Sequence, residues 1–381
     1  MNDSRLLHHS ASLSHARVFE SKERATAHSL LVSGMFILSL NYLLYWAFGL
    51  EILRAPIRIA AIPLFLLSAL MNLKLLSFEI AYLPMLGITS LALFLHGGEA
   101  LNMLVVLLFV LAASPYSSKV LISDLLKCFI ALIGLYAIGV ATGNVSIASY
   151  VFDGRVRNKL GFSHVNAAAL FFLPLLLLLY KKMRHRVMTS ILVAMSFVIL
   201  FIETNTRSIL VTSVVFLIAY GLFFAMGKHG GLSKYRGVFG LLVLYGIVVM
   251  TAIIPFLAGT ELDYFLSYRP TLFYQAVSDF TPSDWLFGST AFQEVDNLFF
   301  VVVGHYGIVY LALMVFTLHK AVLRCARHGD AWGFSFLLAM LACSFVESFL
   351  FRPELVVTFA FWAIVFDQQP DLHRECVKGN L

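Results

Sequence analysis

The residues best suited to chemistry in this sequence lie in one polar stretch, residues 258–307. It carries Arg269, which aromatic residues flank, and it ends at Asp296 and Asn297 as hydrophobic residues resume. Such an arginine could stack on a ring or grip a phosphate. Long connections of this kind are often lids, binding loops or active-site segments. We therefore expect this stretch to decide the function.

A second basic group precedes residues 161–166. Arg155, Arg157 and Lys159 cluster there, and His164 and Asn166 follow at once. Arginine binds phosphate in a planar, bidentate way and stays charged at membrane depth. The cluster could equally contact anionic lipid headgroups. Asn166 could also cap the helix that follows it.

A third polar turn, residues 203–208, interrupts two apolar runs and contains Arg207. Polar residues packed so tightly between hydrocarbon stretches indicate the wall of a water-filled cavity, and ionisable groups at that depth are candidates for function. The alternative is a turn in which Glu203 and Arg207 pair with each other.

Simpler structural roles compete for the remaining polar residues. Asp296 and Asn297 could cap the helix that begins after them. His305 is more often a packed, hydrogen-bonded residue than a base. Glu347 and Arg352, five residues apart, are expected to form a structural ion pair.

No spacing in the chain suggests a metal site, a phosphate-binding glycine loop or a nucleophile elbow. The four cysteines are scattered and form no disulfide framework. The sequence therefore favours chemistry without a metal or a cofactor.

Composition sets the class of protein that must position these residues. The chain of 381 residues is 60% hydrophobic and 13% charged, and its mean hydropathy is +0.88. A water-soluble domain could not bury so much apolar surface. We expect an all-α, polytopic integral membrane protein with about twelve transmembrane helices.

The positive-inside rule orients these helices. Lysine and arginine concentrate on the side of the N-terminus, most strongly in residues 181–186, which predicts that both termini are cytosolic. Because topology accounts for the net charge of +6, nucleic acid is not expected as a partner. The basic residues left on the outer side run against the rule and need a reason: Arg54, Arg58, Arg155, Arg157, Lys159, Arg207, Arg269 and Arg352.

This topology divides the chain into a cytosolic tail (residues 1–27), one transmembrane domain (28–368) and a second cytosolic tail (369–381). The longest connections, about residues 142–162 and 258–294, then both lie outside. No cytosolic connection is long enough to fold into a nucleotide-binding domain.

Taken together, these segments resemble the O-antigen polymerase and ligase superfamily of bacterial polysaccharide assembly. Residues 161–169 are similar to its glycine–histidine–x–asparagine block at the start of a span. Residues 203–208 resemble its serine/threonine–arginine outer turn. Residues 269–288 and 295–307 resemble its long periplasmic loop, which we expect to be partly helical, and the helix after it.

The resemblance implies a fold like that of the membrane-embedded, metal-independent C-type glycosyltransferases. It also implies the bacterial inner membrane as location and undecaprenyl-pyrophosphate-linked oligosaccharides as substrates. Membrane lipids and a chain-length regulator are further partners that this function would allow. The candidates for binding the pyrophosphate or the substrate are Arg207, Arg269, Arg155, Arg157, Asn166 and Asn297.

In that reaction an acceptor hydroxyl would attack the donor anomeric carbon with the help of a base. Ligases of the superfamily typically carry histidine–asparagine where this chain has Asp296 and Asn297, so the resemblance favours a repeat-unit polymerase. Asp296 is the first candidate for the base, with His164 and His305 as rivals.

Two other functions remain open from the sequence. A ligase of the same superfamily would leave undelivered polymer when its gene is deleted, whereas a polymerase would leave single repeat units. A lipid-linked oligosaccharide flippase would instead leave units at the cytosolic face. Transporters often contain repeated halves with broken helices, and no such repeat is visible here.

Overall fold

The computed structural model describes residues 3–76, 80–96, 98–152, 155–182, 186–228, 233–265, 268–290, 292 and 295–367. In chain order its helices are α1 (Asp3–Trp46), α2 (Arg54–Met71), α3 (Tyr82–His96), α4 (Gly98–Ala113), α5 (Ser118–Ala141), α6 (Val165–Lys182), α7 (Arg186–Thr204), α8 (Arg207–Lys228), α9 (Tyr235–Ile253), α10 (Glu261–Phe265), α11 (Arg269–Val277), α12 (Pro282–Phe287), α13 (Leu298–His328), α14 (Ala331–Ser344) and α15 (Val356–Val365). Short 3-10 helices occupy Glu51–Leu53, Leu73–Leu75, Ile254–Leu257 and Phe349–Phe351.

Within the described residues, seven helices are long and apolar enough to cross a membrane. They are α1 (from Lys22), α2, α5, α6, α8, α9 and α13, and the shorter apolar helices are α3, α4, α7, α14 and α15. This is the architecture of a multi-pass helical membrane protein, and it confirms the helical prediction. The number of crossings and the orientation of both termini stay predictions.

The predicted N-terminal tail is helical over most of its length, and its cytosolic location stays a prediction. Helix α1 begins at Asp3 and runs without interruption into the first apolar run, so the predicted tail of residues 1–27 belongs largely to a helix. The predicted tail of residues 369–381 lies outside the described residues.

Both long connections contain secondary structure. Residues 258–294 hold α10, α11 and α12, in keeping with the expected partly helical loop. The first connection holds an antiparallel hairpin of β1 (Ser149–Phe152) and β2 (Arg155–Asn158), which the all-helical prediction missed. Each strand has four residues, too few for an alternating pattern to stand out in the sequence.

Hydrogen bonds between helices sort the connections into two ends of the bundle. At one end the hydroxyl of Tyr42, near the end of α1, donates to the carbonyl of Ala167 at the start of α6 (3.0 Å). At the opposite end Trp332 Nε1, at the start of α14, donates to the carbonyl of Leu177 late in α6 (2.9 Å). We call the first end, where α1 ends and α6 begins, the site end.

Helices α14 and α15 lie innermost. All residues of α15 and nearly all of α14 are buried. At 1.5 Å per residue, their 14 and 10 residues make them much shorter than α13. Their connection, residues 345–355, is therefore set back into the bundle at the site end.

A buried ion pair fixes that connection to α2. Arg58 Nε donates to Glu354 Oε1 at 2.7 Å, and Arg58 Nη2 contacts the same oxygen. Arg54, one helical turn earlier, approaches it at 3.7 Å. Glu354 and Arg58 are both buried, so each charge depends on the other for the interactions that water would otherwise supply.

Breaking this pair on one side should destabilise the protein strongly. We expect Glu354→Met or Arg58→Met to lower the free energy of unfolding by roughly 3–5 kcal/mol, because each leaves one buried charge uncompensated. The free energy of unfolding of the double variant should lie closer to that of the wild-type protein than the value of either single variant does. Thermal unfolding of the purified protein in detergent measures all three. Additive losses would show that the two charges do not support each other.

Candidate functional site

Three predicted site residues converge on one turn at the end of α14. Asn297 Nδ2 donates to the carbonyl of residue 345 (3.0 Å), and Arg269 Nη1 donates to the carbonyl of residue 346 (3.1 Å). Asn166 Nδ2 donates to Oε1 of Glu347 (3.0 Å). We call residues 345–348 the α14 turn. It brings together parts of the chain that are far apart in the sequence.

The end of α14 explains why this turn attracts donors. The last carbonyls of a helix have no partner within it, and buried carbonyls need one. The amides of Val346 and Glu347 both donate to the carbonyl of Cys343 at 3.0 Å, which closes the helix. The next carbonyls then accept from the side chains of Asn297 and Arg269.

Asn297 is the helix cap that the sequence suggested. Its Oδ1 accepts a hydrogen bond from the amide of Phe300 at 3.0 Å. Its Nδ2 donates to the α14 turn and also lies 3.4 Å from Thr251 Oγ1. The side chain is fully buried. Asn297 therefore joins α13, α9 and the α14 turn at one point.

Asp296 does not share this capping role. Its side chain is 62% exposed, and Oδ2 lies 3.8 Å from Nη2 of Arg269. The capping alternative is thus correct for Asn297 and wrong for Asp296. Arg269, the first residue of α11, holds its guanidinium between the α14 turn and the Asp296 carboxylate.

Glu347 is the residue that the sequence placed wrongly. Among the described residues it forms no ion pair with Arg352, and its carboxylate accepts from Asn166 instead. Burial raises the pKa of Glu347 to about 7, and the Asp296 charge adds to the effect. Arg269 and Arg352 oppose the rise without cancelling it. Glu347 therefore titrates near neutral pH.

The first long connection adds positive charge beside the turn. Arg157 and Lys159 lie at and just after the end of β2, and with burial they lower the pKa of His164. Burial is the largest of these causes, and Asp296 acts in the opposite direction. His164 thus shares an electrostatic environment with Asp296 and is favoured in its neutral form. The side chain of Arg155 lies outside the described part of the chain.

Arg207 begins α8 at the same end of the bundle. Its predicted partner Glu203 accepts a hydrogen bond from Asn158 (3.1 Å), and no Glu203–Arg207 ion pair forms in the described structure. The alternative of a turn in which Glu203 and Arg207 pair with each other is therefore wrong. Arg207 is exposed, and the carbonyl of the next residue, Ser208, lies 3.9 Å from Sγ of Cys343 near the end of α14.

His305 lies in a separate polar cavity of about 260 Å³. Arg54, Arg352 and Ser348 line it together with His305, so the structure separates His305 from the Arg269–Asp296 pair. Sequence reasoning did not include Arg54, Arg352 or Glu347 among the site residues. The predicted position of Arg54 and Arg352 on the outer side, against the orientation rule, was the signal that could have found these two arginines.

An apolar groove of about 510 Å³ lies on another side of α13. Its wall includes Thr251, the neighbour of Asn297, and Phe300, whose amide Asn297 caps. Trp285 and Ile308 extend the lining toward α12 and the middle of α13. The groove therefore begins beside the residues that hold the α14 turn.

Helix α13 breaks at Gly307, between these two cavities. Gly307 has φ 80° and ψ 174°, a conformation that only glycine adopts readily. Its Cα lies so close to the carbonyl of Leu286 that a Cβ could not fit. The amide of Ser289 also donates to the carbonyl of Gly304 at 2.7 Å. These contacts fasten α12 to the first half of α13.

The described residues contain no group of three or more histidine, cysteine, aspartate or glutamate side chains that could hold a metal ion. Comparison of the chain with protein-family models, with curated proteins and with solved structures finds no match. Its function must therefore be argued from its own residues.

The raised pKa of Glu347 predicts a dependence of stability on pH. A carboxyl whose pKa rises on folding from 4.5 to about 7 stabilises the fold fully below the unfolded value. That contribution, roughly 3 kcal/mol, is lost as pH rises from about 4.5 to about 7. Between about pH 5 and pH 8, the unfolding temperature of Glu347→Gln should therefore fall less than that of the wild type.

The exposed carboxylate of Asp279 provides the matched control, because Asp279→Asn removes a charge that is not buried. Thermal unfolding in detergent across the pH range measures the effect. Identical pH curves for Glu347→Gln and the wild type would contradict the assignment.

Proposed function

We propose that this protein is a glycosyltransferase that joins lipid-linked oligosaccharide repeat units at the outer face of a bacterial inner membrane. The observation that carries the proposal is the α14 turn. There Arg269 donates to the carbonyl of residue 346, and the half-buried carboxylate of the next residue, Glu347, accepts from Asn166, next to an apolar groove. A pyrophosphate lipid offers an anion and a hydrocarbon tail, which match an arginine and a groove at a membrane surface.

The arginines would hold the donor pyrophosphate. Arg269 is anchored through Nη1 to the α14 turn, so its guanidinium is placed before substrate arrives. Arg207 and Arg157 supply further positive charge at the site end, as the electrostatic effect of Arg157 on His164 indicates. Cationic groups placed in advance stabilise the charge that develops on a leaving group.

Glu347 is the best candidate for the base. A general base works best when its pKa lies near the working pH, and that of Glu347 is about 7. Asp296 is 62% exposed, and its Oδ2 already lies 3.8 Å from Nη2 of Arg269. His305 lies in the other cavity. His164 stays a rival because its lowered pKa leaves it neutral.

An acceptor sugar hydroxyl attacks the donor anomeric carbon and forms the new C–O bond, while its proton passes to the Glu347 carboxylate. The bond between that carbon and the pyrophosphate oxygen breaks. The electron pair leaves with the lipid pyrophosphate, whose charge the arginines stabilise.

Removal of Arg269 should separate polymerisation from the other candidate functions. In cells carrying Arg269→Ala we expect long polymer to disappear while single repeat units remain attached, because one such donor is worth roughly 100- to 1,000-fold in rate. The surface glycan profile on a gel measures this result. Arg327→Ala, an exposed arginine at the end of α13 far from the site end, is the matched control.

A normal chain-length ladder in Arg269→Ala and in Arg207→Ala would overturn the polymerase proposal. Accumulation of undelivered polymer in a deletion strain would point to a ligase. Accumulation of units at the cytosolic face would point to a flippase.

Substitution of Glu347 tests the base. Glu347→Gln keeps the side-chain shape and the acceptor for Asn166 but cannot take a proton, so polymerisation by the purified protein should slow by roughly 100- to 10,000-fold. Asp296→Asn should stay within about tenfold of the wild type if Glu347 is the base. The wild-type rate should rise with pH through about 7. A larger loss in Asp296→Asn than in Glu347→Gln would assign the base to Asp296.

A further inference from the structure

The polar cavity at the site end is lined by residues that take no part in the proposed donor site, which is the site around Arg269 and Glu347. Arg54 and Arg352 line it from two different parts of the chain, with Tyr45 and Trp46 as aromatic walls. None of its described lining residues is a carboxylate. The cavity therefore presents positive charge and hydrogen-bond donors to whatever enters it.

The nearest carboxylate does not neutralise these arginines. Glu354 is engaged by Arg58 through Nε at 2.7 Å and through Nη2. Arg54 only approaches it through Nε at 3.7 Å, and the Arg54 side chain stays 37% exposed. Arg352 forms no ion pair within the described part of the chain. Arg54 and Arg58 thus share one buried carboxylate, to which Arg58 makes the closer contact.

The cavity has its own place relative to the α14 turn. Ser348 lines it, while the preceding residue, Glu347, faces Asn166 in the donor site. Helix α13 separates it from the apolar groove, since Val301 faces the cavity and Phe300 faces the groove. The cavity and the groove therefore lie on different sides of the first turns of α13, and the cavity reaches the α14 turn through Ser348.

The size and charge of the cavity select its ligand. The volume of about 260 Å³ is many times the roughly 10–15 Å³ that one water molecule requires on the same measure, so the cavity has room for a group the size of a pyrophosphate. Two guanidinium groups without a carboxylate in the lining suit the oxygens of such an anion. The aromatic walls suit a sugar attached to it.

We propose that this cavity binds the pyrophosphate of a second lipid-linked molecule. The protein then holds two lipid pyrophosphates at once, one at Arg269 and one between Arg54 and Arg352. This inference rests on the proposed function, because a polymerase that joins lipid-linked units must hold a donor and an acceptor together. It assigns the second substrate to residues that the donor site does not include.

Binding of a short isoprenoid pyrophosphate to the purified full-length protein tests the proposal. We expect titration calorimetry with farnesyl pyrophosphate to give two bound molecules per chain in the wild type. The double variant Arg54→Gln, Arg352→Gln should bind one, with its lost site weakened by roughly 100-fold, because two charge-assisted contacts are removed. Arg269→Ala should lose the other site. Arg327→Gln should keep both.

Two further arms identify the ligand and control for folding. Inorganic pyrophosphate should displace farnesyl pyrophosphate only weakly if the lipid-linked form is the ligand, whereas equal competition would assign the cavity to free pyrophosphate and overturn the proposal. The variant Arg54→Lys, Arg352→Lys keeps the charges but not the forked donors. It should fold and bind the second molecule roughly tenfold more weakly.

The second site would be refuted if the wild-type chain bound only one molecule. It would also be refuted if both double variants bound two molecules with wild-type affinity. The glycan profile of a deletion strain is scored separately. If the wild-type protein binds two molecules but the deletion strain keeps an unchanged polymer ladder, the polymerase function is refuted and the anion site stays in place. The two failures can therefore be told apart.

Discussion

The candidate site depends on the need of a buried helix end for hydrogen-bond donors. Helix α14 ends inside the bundle, and the carbonyls that follow it must be paired. The protein meets this need with Asn297 and Arg269, both from elements outside the inner helices. Because a buried polar network is stable only when every member is paired, this requirement fixes where α11 and α13 begin relative to the α14 turn. The position of the guanidinium of Arg269 follows from it.

The same turn sets the balance of charge at the site end. Glu347 is buried deeply enough for desolvation to outweigh two nearby arginines. A carboxylate that stayed fully ionised there would neutralise part of the positive charge that an anionic ligand needs. A carboxyl that titrates near neutral pH leaves that charge available while keeping a proton acceptor within the site. Glu354 differs from Glu347, because it is held in a buried ion pair with Arg58.

The sequence predicts the helices well because apolar runs are long and connections are short. It also places Asn166, Arg269, Asp296 and Asn297 at one end of the bundle. It could not predict the α14 turn, because its contacts join residues 181, 77 and 48 positions apart and no local pattern encodes them. The expected pairing of Glu347 with Arg352 relied on closeness in the sequence, and the tertiary partner Asn166 took precedence.

The break of α13 at Gly307 leaves a short first half-helix that serves as a wall between two binding spaces. A helix with its side chains is roughly 10–12 Å across, so ligands in the groove and in the polar cavity would lie about one helix diameter apart. That distance is comparable to one or two sugar rings in a chain. Under the proposed function, a hydrocarbon tail in the groove and a pyrophosphate in the polar cavity would thus belong to two molecules that this single half-helix keeps apart.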